Sequence, residues 1–338
     1  MSKRAFITGI SGQDGSYLSE HLLSLGYEVF GLLRRHSLVE SQDYRVQHLN
    51  DKIKTFYGDM TDAVSIKSII KDVKPDEIYN LAGQSHVQVS FAIPTFTINT
   101  NSIGILNILE SMREYVPHAR LYQASSSEMF GDQCDHDGYQ RETTPMSPVS
   151  PYGCSKLMAY NLMRNYRRSY GLFAANGILF NHSSPRRGMN FVEQKIVYGA
   201  ARIVMELDDT LELGNLESFR DIGHSKDYVR AMHAILNHEK PDDFVIATGY
   251  TRSIRQICEF VFGEMGLDYQ KHVKINPAFL RPQELPYLKG DSTKARSTLG
   301  WEPQYTPEEL LKEMIMHAII NLEAEIAAKN QTQVLVQL

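Results

Sequence analysis

The chain has 338 residues, of which 42% are hydrophobic and 22% are charged, as is typical of a globular protein with a large core. Its net charge of −5 and pI near 6.2 argue against a nucleic-acid-binding protein, and no apolar run approaches the roughly 18 residues that a membrane span needs. The length predicts one large domain with a smaller lobe.

The N-terminus and the cysteines indicate a cytoplasmic protein. Met1 to Arg4 lead directly into a strand-like run, so we expect no signal peptide. Cys134, Cys154 and Cys258 lie far apart and form neither a disulfide framework nor a CxxC pair. This spacing predicts reduced thiols and no metal site.

Short apolar runs alternate with amphipathic stretches in the first half of the chain. The pattern predicts strands at 5–8, 27–33, 77–81 and 119–124, and helices at 16–25, 63–71 and 100–115. Such alternation is typical of a parallel, doubly wound α/β sheet.

Beyond residue 170 the pattern becomes mixed. It predicts strands at 174–180 and 244–248 and a helix at 193–207. The aperiodic stretch 132–148 lies between a strand end and a helix, where loops often form a wall of the active site.

These elements suggest a division of the chain. We predict a nucleotide-binding domain at 1–180, to which a segment at about 215–250 returns, and a mainly substrate-binding lobe at 181–325. The tail at 326–338 is predicted to be partly helical, and the sequence leaves open whether it forms an interface or a loose end.

A glycine-rich loop follows the first strand. Gly9, Gly12 and Gly15 stand in a GxxGxxG spacing, with Gln13 and Asp14 between them, and a helix is predicted to begin near residue 16. Glycines let the backbone approach a pyrophosphate, which then faces the positive end of the helix. The context therefore predicts a Rossmann-type fold that binds a dinucleotide.

The end of the second strand indicates the choice of cofactor. An acid usually binds the ribose 2′-hydroxyl of NAD there, but this chain has Arg34, Arg35, His36 and Ser37. Two guanidinium groups suit a 2′-phosphate, so we predict NADP. The alternative is that one arginine belongs to a loop, at 35–45, that contacts another subunit.

Two weaker signals accompany this cofactor prediction. Asp59 and Met60 follow the third strand. They resemble the pair of an acidic and an apolar residue that holds adenine in such folds. The segment 80–85 resembles the stretch over which the dinucleotide passes, and its candidate contacts are Leu81, Ala82, Gln84 and Ser85.

Tyr152 and Lys156 form a YxxxK pair at the head of a predicted helix, so they lie one turn apart. A free phenol, with a pKa near 10, is too weakly acidic to act as a base at neutral pH. An ammonium group about 4 Å away contributes roughly 4 kcal/mol at an effective dielectric near 20, which would lower that pKa. The pair predicts a tyrosine base for hydride transfer.

The strand before this pair ends in a hydroxyl and a carboxylate, Ser126 and Glu128. Oxidation of a sugar's C4 alcohol acidifies the C5 proton, which a nearby carboxylate can remove while the C6 hydroxyl leaves as water. The reduced cofactor can then return its hydride to C6. Glu128 therefore favours a dehydratase over a simple reductase.

With these motifs the sequence resembles the GDP-mannose 4,6-dehydratase family over nearly its whole length. The strongest matches are at 9–17, 123–131, 150–156, 165–171 and 176–188. The resemblance implies catalytic roles for Ser126, Glu128 and Tyr152, and a role for Lys156 shared between catalysis and the nicotinamide ribose. It also implies cofactor contacts from His182 and Arg187.

The resemblance further implies a set of contacts to the GDP-sugar. These residues are Ser85, Ser90, Ser126, Glu128, Asn181, Val192, Lys195, Arg220, Arg281 and Glu284. Three of them are cations that can bind a diphosphate, and a carboxylate can accept hydrogen bonds from ribose or guanine.

The sequence departs from the family pattern at three positions. Ser126 stands where threonine is usual, Val149 where arginine is common, and Phe96 where a tyrosine often lies near the cofactor. These departures leave a GDP-heptose dehydratase open as an alternative substrate class. A GDP-sugar 4-epimerase or 4-keto reductase would share the fold without requiring Glu128, and an NADP-binding protein without activity would not need both Tyr152 and Lys156. We expect a homodimer or homotetramer.

Overall fold

The computed structural model describes residues 2–35, 37 and 42–336, with side chains as far as residue 329. The strands are β1 (Arg4–Thr8), β2 (Glu28–Leu33), β3 (Ile53–Tyr57), β4 (Glu77–Asn80), β5 (Arg120–Ser126), β6 (Phe173–Leu179), β7 (Asn181–Ser183), β8 (Leu211–Leu213), β9 (Phe219–His224), β10 (Asp243–Ile246), β11 (Thr251–Ser253), β12 (Val273–Ile275) and β13 (Tyr287–Leu288).

The α-helices enclose the main sheet and build the C-terminal lobe. They are α1 (Gln13–Ser24), α2 (Ala63–Val73), α3 (Val87–Ala92), α4 (Pro94–Ile98), α5 (Gly104–Tyr115), α6 (Pro151–Tyr170), α7 (Val192–Val204), α8 (Ser225–Asn237), α9 (Ile254–Glu264), α10 (Tyr269–His272), α11 (Thr293–Leu299) and α12 (Pro307–Val336). Among the described residues, none of these helices is long and apolar enough to cross a membrane.

Seven strands form one parallel sheet in the order β10-β6-β5-β4-β1-β2-β3. β1 is central, and its residues from Ala5 to Thr8 are buried, as expected of a strand covered on both faces. The chain direction across the sheet reverses between β1 and β4, which creates the crevice where ligands bind in such folds. This architecture confirms the predicted Rossmann-type α/β sheet.

Helices pack on both faces of the sheet. On one face, Leu18 and Leu22 of α1 share a core with Ile235 of α8. On the other, Ile70 of α2 and Ile108 of α5 share a second core with residues of α6. The two apolar layers leave the carboxyl ends of the strands as the open edge of the sheet.

A smaller lobe is built from later segments. β9 pairs with β7, β11 and β13, while β8 pairs with β12. Its core joins α7, α9 and α12. β10 and α8 lie with the main sheet, whereas β9 lies with the small one, so the chain passes between the two layers. The predicted division near residue 180 remains a prediction.

The structure also refines several predicted elements. α1 begins at Gln13 instead of near residue 16, because the glycine loop turns directly into the helix. The predicted helix at 100–115 is a π-helical turn, Asn99–Ile103, followed by α5. α12 continues to Val336, so most of the predicted tail is helical, while residues 337 and 338 lie outside the described residues.

The stretch 132–148 is irregular, as predicted, and crosses to the smaller lobe. The backbone of Gln140 donates to Lys289 O and accepts from Asp291 N. The side chain of Arg141 donates to Asp135, Asp137 and Asp291 at 2.7–2.9 Å. These bonds tie the loop after β5 to the chain that follows β13.

Candidate active site

The glycine loop between β1 and α1 has the close packing that a phosphate-binding loop needs. Gly9 has a φ of +71°, and a Cβ there would lie 2.9 Å from the backbone nitrogen of Ala82. A Cβ at Gly15 would lie 2.3 Å from the carbonyl oxygen of Gly9. Side chains at these two positions would displace backbone, so the loop needs glycine at both.

A cleft of about 570 Å³ opens at the carboxyl ends of the strands, between the main sheet and the smaller lobe. Most residues predicted from the sequence to form the site line it. They are Gly9, Gly12, Gln13, Asp14, Gly15, Leu81, Ala82, Ser85, Ser126, Glu128, Tyr152, Lys156, Asn181, His182, Arg187, Val192, Lys195, Arg220, Arg281 and Glu284.

The YxxxK pair is held at the start of α6. The Ser150 hydroxyl accepts a hydrogen bond from Gly153 N at 3.0 Å and caps the helix, and Pro151 occupies its first position. Tyr152 N donates to the Ser90 hydroxyl at 3.2 Å, while Lys156 Nζ donates to Ala124 O at 2.8 Å. The backbone of Tyr152 and the side chain of Lys156 are therefore fixed against neighbouring elements.

A π-helical turn supports the same region. Asn101 Nδ2 donates to the Ser155 hydroxyl at 2.9 Å, and Asn101 Oδ1 accepts from Gln84 N at 2.9 Å. This one side chain joins α6 to the segment that follows β4. π-Turns are frequent at functional sites because they redirect side chains within a helix.

Burial dominates the ionisation of the pair. It raises the pKa of Tyr152 to about 12, with Ser126 and Arg187 acting in the opposite direction, and it lowers the pKa of Lys156 to about 8. Lys156 Nζ lies 5.8 Å from the centroid of the Tyr152 ring and is directed to Ala124 O. Burial thus raises the pKa of Tyr152, and a lowering of that pKa by Lys156 remains a prediction.

Ser126 and Glu128 lie at the end of β5, facing the same cleft. The Ser126 hydroxyl accepts from Glu128 N at 3.2 Å, which begins the short 3-10 helix Ser127–Met129. Only 12% of the Glu128 side chain is exposed, and its Oε1 lies 3.5 Å from Arg281 Nη1. The strand end thus presents a hydroxyl and a carboxylate to one space.

Four charged side chains alternate in sign across the cleft wall. Arg281 lies between Glu128 and Glu284, at 3.5 and 3.7 Å, and Arg220 Nη2 donates to Glu284 Oε1 at 3.2 Å. Arg220 is also anchored on the carbonyls of Phe219 and Leu285. Burial lowers the pKa of Arg220, and the Glu128 charge opposes that effect.

Lys195 of α7 adds another cation to this wall. Its Nζ lies 3.7 Å from the centroid of the Phe279 ring, and burial lowers its pKa. Val192 begins the same helix, so the positive end of the helix dipole also faces the cleft. This end of the cleft suits a diphosphate.

A family model for GDP-mannose 4,6 dehydratase matches residues 6–314. The chain belongs to this family. GDP-mannose 4,6 dehydratase 2 of Arabidopsis thaliana is 47% identical over 325 residues, which cover 93% of this chain and 86% of the relative. The GDP-mannose 4,6-dehydratase of Vibrio cholerae is 42% identical over 366 residues, covering 95% and 97%.

The fold agrees with that of a solved structure. The dTDP-glucose 4,6-dehydratase of Bacillus anthracis, determined in complex with NAD, superposes with a TM-score of 0.82 at 22% identity, covering 95% of this chain and 98% of that one. This likeness concerns the fold alone. Substrate and cofactor must be argued from the cleft.

The residues predicted to select NADP lie outside the cleft lining. Arg34, Arg35 and Ser37 are exposed. The Arg34 guanidinium lies 5.9 Å from the centroid of the Phe96 ring, and the Arg35 guanidinium lies 6.0 Å from the centroid of the Tyr57 ring. Of the predicted subunit-contact loop at 35–45, His36 and residues 38–41 lie outside the described residues.

Four other predicted contacts have protein partners. Asp59 accepts from Thr61, and Met60 is buried in the core. Gln84 contacts His86 and Thr97, while the Ser90 hydroxyl donates to Val87 O and accepts from Tyr152 N. Their contacts to ligands remain predictions.

The cleft also includes residues that sequence reasoning missed. They are Arg45, Val87, Gln88, Phe191, Glu193, Asn215 and Phe279, among others. Arg45 Nε donates to Arg186 O at 2.8 Å and Arg45 Nη1 donates to Ser11 O at 3.4 Å, so an arginine far from the motifs reaches the phosphate loop. No local pattern marks these residues, because their place depends on contacts between distant segments.

Proposed function

We propose that this chain converts GDP-mannose to GDP-4-keto-6-deoxy-mannose by an internal oxidation, elimination and reduction. The single observation that carries this proposal is the presence of Glu128 in one cleft with Ser126, Tyr152 and Lys156. Family membership supports the same reaction. A carboxylate beside the oxidising pair supplies the base that elimination needs.

Each side chain has a distinct role in the proposed reaction. Tyr152 accepts the proton of the C4 hydroxyl, and Ser126 orients that oxygen by hydrogen bonding. Glu128 then removes the C5 proton and delivers it to the C6 hydroxyl, which leaves as water, and the proton that Tyr152 accepted is available to restore C5 when hydride returns to C6. Bound NADP supplies the chemistry of hydride acceptance from C4 and hydride return to C6.

The phosphate loop and its surroundings fit a dinucleotide. Gly9 and Gly15 leave room for backbone approach, and α1 presents its positive end to the cleft. Arg187 Nε is buried without a hydrogen-bond partner among the described residues, so a cation with an unused donor faces the same space. We assign Lys156 to the nicotinamide ribose and Arg187 to the cofactor.

NADP is the proposed form of this cofactor. Arg34 and Arg35 follow β2 directly, at the position where an NAD-binding chain would carry an acid. Both are exposed, and neither forms an ion pair within the described part of the chain. Two guanidinium groups at this position favour a 2′-phosphate over a hydroxyl.

The nucleotide of the substrate is assigned to the wall that carries Lys195, Arg220 and Arg281. Their charges complement a diphosphate, while Glu284 can accept hydrogen bonds from ribose or guanine. No described contact in the cleft favours a GDP-heptose, and the relatives named above are GDP-mannose enzymes. GDP-mannose is therefore the proposed substrate.

Product analysis tests this function. Incubation with GDP-mannose and bound NADP should yield a nucleotide sugar lighter by one water, with no net change in cofactor. GDP-heptose provides the comparison substrate. A product of unchanged mass would indicate an epimerase, and consumption of NADPH in proportion to product would indicate a reductase.

Assembly and location extend the proposal. Exposed apolar side chains occur on neighbouring helices, namely Val89, Ile93, Phe96, Ile98, Ile103 and Met158. Such a surface supports a homodimer or homotetramer, which light scattering can distinguish. We propose that the protein acts in the cytoplasm, as its cysteine usage suggests.

A further inference from the structure

The smaller lobe presents an exposed aromatic ring to the cleft. Phe279 ends the short 3-10 helix Pro277–Phe279, and 45% of the residue is exposed although it lines the cleft. Burial of a phenyl ring is stabilising, so a ring left open inside a binding cleft suits an apolar or aromatic part of a ligand. The base is the one aromatic part of a GDP-sugar.

The turn that carries this ring is fixed against β8. Asn276 N donates to Leu213 O at 2.8 Å, and the Asn276 side chain donates to Glu212 Oε2 at 2.7 Å. A Cβ at Gly214, directly after β8, would lie 2.8 Å from Phe279 O, so the two segments pack closely. The backbone of Phe279 therefore has a defined place beside a stretch of chain that also lines the cleft.

Lys195 places a cation at the face of this ring. Its Nζ lies 3.7 Å from the centroid of Phe279, and within the described part of the chain it forms no hydrogen bond or salt bridge. Arg220 and Arg281, by contrast, both contact carboxylates. The ammonium of Lys195 thus keeps its donors for an acceptor on a ligand.

The distance between Lys195 and Phe279 determines how a base would meet the ammonium. Nonbonded atoms in contact lie about 3.5 to 4 Å apart, so a base stacked on Phe279 would have its atoms at the height of Lys195 Nζ. Aromatic rings prefer an offset stack to a direct face-to-face sandwich. An offset base would therefore meet the ammonium at its edge, where the hydrogen-bonding groups of a base lie.

The chemistry of that edge selects among bases. Guanine presents two acceptors, O6 and N7, on one edge, and lysine binds this edge in nucleic acids. Adenine has an amino group in place of O6, and an amino group cannot accept from an ammonium. A pyrimidine covers less of the ring than a purine does. An aromatic face with an ammonium at its edge is thus suited to guanine.

We propose that Phe279 and Lys195 form the base subsite of the cleft, where guanine stacks on Phe279 and its O6 and N7 accept from Lys195 Nζ. This inference rests on the proposed function, because it concerns the nucleotide of the GDP-sugar. It narrows the role of Lys195 to the base and leaves the diphosphate to Arg220 and Arg281. Arg281 Nη1 lies 3.5 Å from Glu128 Oε1, which places the diphosphate next to the reacting sugar.

Calorimetry with nucleotides tests this subsite without turnover. The protein is saturated with NADP, which keeps added nucleotides out of the cofactor site. The ligands are GDP, inosine diphosphate, ADP and inorganic pyrophosphate. Inosine diphosphate shares O6 and N7 with GDP, ADP lacks O6, and pyrophosphate has no base. The wild-type protein should bind GDP and inosine diphosphate about tenfold or more tightly than ADP.

Two positions separate the aromatic platform from the ammonium. Phe279→Leu removes the ring and should weaken all three nucleotides roughly tenfold, while Phe279→Tyr keeps the ring and should retain the wild-type affinities. Lys195→Met removes the donors and should weaken GDP and inosine diphosphate about tenfold, but ADP little. Pyrophosphate should bind to each variant as it does to the wild type.

Steady-state kinetics distinguishes a lost contact from a disturbed lobe. The base is separated from the reacting carbons by the ribose and the diphosphate. Phe279→Leu should therefore raise KM for GDP-mannose with little change in kcat, because the lost contact stabilises substrate and transition state equally. A merely structural role of the ring would lower kcat as well.

Lys289 provides a matched control. Its Nζ lies 4.1 Å from the centroid of the Tyr139 ring, so it forms a similar cation–aromatic pair, but neither of these two described residues lines the cleft. Lys289→Met should leave every affinity and the activity unchanged.

The outcomes separate the subsite from the reaction. Equal losses of affinity for GDP, ADP and pyrophosphate in Lys195→Met would assign this cation to the diphosphate and overturn the proposal. Unchanged GDP affinity in Phe279→Leu or in Lys195→Met would overturn it too, even if GDP-mannose is dehydrated. A protein that binds no GDP would refute both the subsite and the proposed function. Affinities that follow the expected pattern without dehydration of GDP-mannose would count against the proposed function alone.

Discussion

Glu128 distinguishes this cleft from one built only to move a hydride. Its carboxylate follows the hydroxyl of Ser126 on the same strand end and lies 3.5 Å from Arg281 Nη1. A carboxylate at this position can accept a proton from carbon. The residue thus links the local geometry of β5 to the class of reaction.

The substitution Glu128→Gln tests this role. The amide preserves shape but removes the base, so dehydration should fall by about 10²-fold or more while NADP and GDP-mannose still bind. Exchange of solvent deuterium into C5 should disappear with it. Asp132→Asn, an exposed change on the same loop, is the control and should keep wild-type activity. Wild-type dehydration by Glu128→Gln would refute the assignment.

Tyr152 shows how one residue depends on its surroundings. Burial raises its pKa to about 12, and the strongest opposing influence is the Ser126 hydroxyl. Lys156 is directed to Ala124 O instead of the phenol. The protein therefore places the proposed general base in a buried site, where its ionisation responds strongly to nearby charges.

At the scale of elements, the turn after β2, which we propose selects the cofactor, lies apart from the cleft. Arg34 and Arg35 lie beyond the last buried residue of the strand, outside the lining of the cleft. A contact to a 2′-phosphate would therefore affect cofactor affinity without altering the catalytic residues.

Replacing both arginines with glutamine should weaken NADP far more than NAD. Each charge-assisted bond contributes roughly 1.5 to 3 kcal/mol, so the difference between the two cofactors should exceed about tenfold in Kd. Calorimetry measures both affinities. Lys52 and Lys54 are exposed cations nearby, and their replacement by glutamine is the control. Equal weakening of NADP and NAD, with altered elution on gel filtration, would indicate a subunit contact instead.

The C-terminal helix is fixed to the lobe by a charged junction. Glu313 of α12 accepts from His224 Nε2 at 2.8 Å, at the end of β9, and from Lys226 Nζ at 3.0 Å, in α8. The hydrogen bond from His224 lowers the pKa of Glu313 from 4.5 to about 2, with a further contribution from Lys226. The folded protein thus favours the ionised carboxylate.

Because the folded pKa lies below the unfolded one, the stabilisation is complete above pH 4.5 and is lost as pH falls through about 2. Glu313→Gln should reduce the free energy of unfolding at neutral pH by about 2 kcal/mol, and this deficit should shrink in acid. Urea unfolding at several pH values measures it. Glu323→Gln, on an exposed position of the same helix, should cost little; a deficit for Glu313→Gln that does not change with pH would contradict the assignment.

At the scale of the whole molecule, the cleft lies between the main sheet and the smaller lobe, and each contributes a different set of residues to it. The main sheet contributes the phosphate loop, Glu128 and the YxxxK pair, while the smaller lobe contributes Arg220, Arg281 and other charges. A cleft shared by both layers can hold one cofactor through oxidation and reduction of the same sugar.

Isotope transfer tests that arrangement. Deuterium placed at C4 of GDP-mannose should appear at C6 of the product, within one molecule, and substoichiometric NADP should support many turnovers. Mixing labelled and unlabelled substrate, followed by mass spectrometry, shows whether the label stays within its molecule. Label retained at C4, or steady consumption of NADPH, would contradict the proposed reaction and leave the fold unaffected.

The sequence by itself determined the parts of the site that are local in the chain. GxxGxxG after a strand, the Ser126 and Glu128 pair, and YxxxK at the head of a helix each depend on spacing within one element or turn. The alternation of apolar runs likewise determined the parallel sheet, because burial on both faces requires it.

Tertiary structure decided what surrounds these motifs. Contacts between segments far apart in the chain create the alternation of Glu128, Arg281, Glu284 and Arg220, the approach of Arg45 to the phosphate loop, and the pairing of Asp14 with His182. The same applies to ionisation: Lys156 stands one turn from Tyr152, yet burial sets the pKa of both. Desolvation depends on everything packed around a group, which spacing along the chain does not encode.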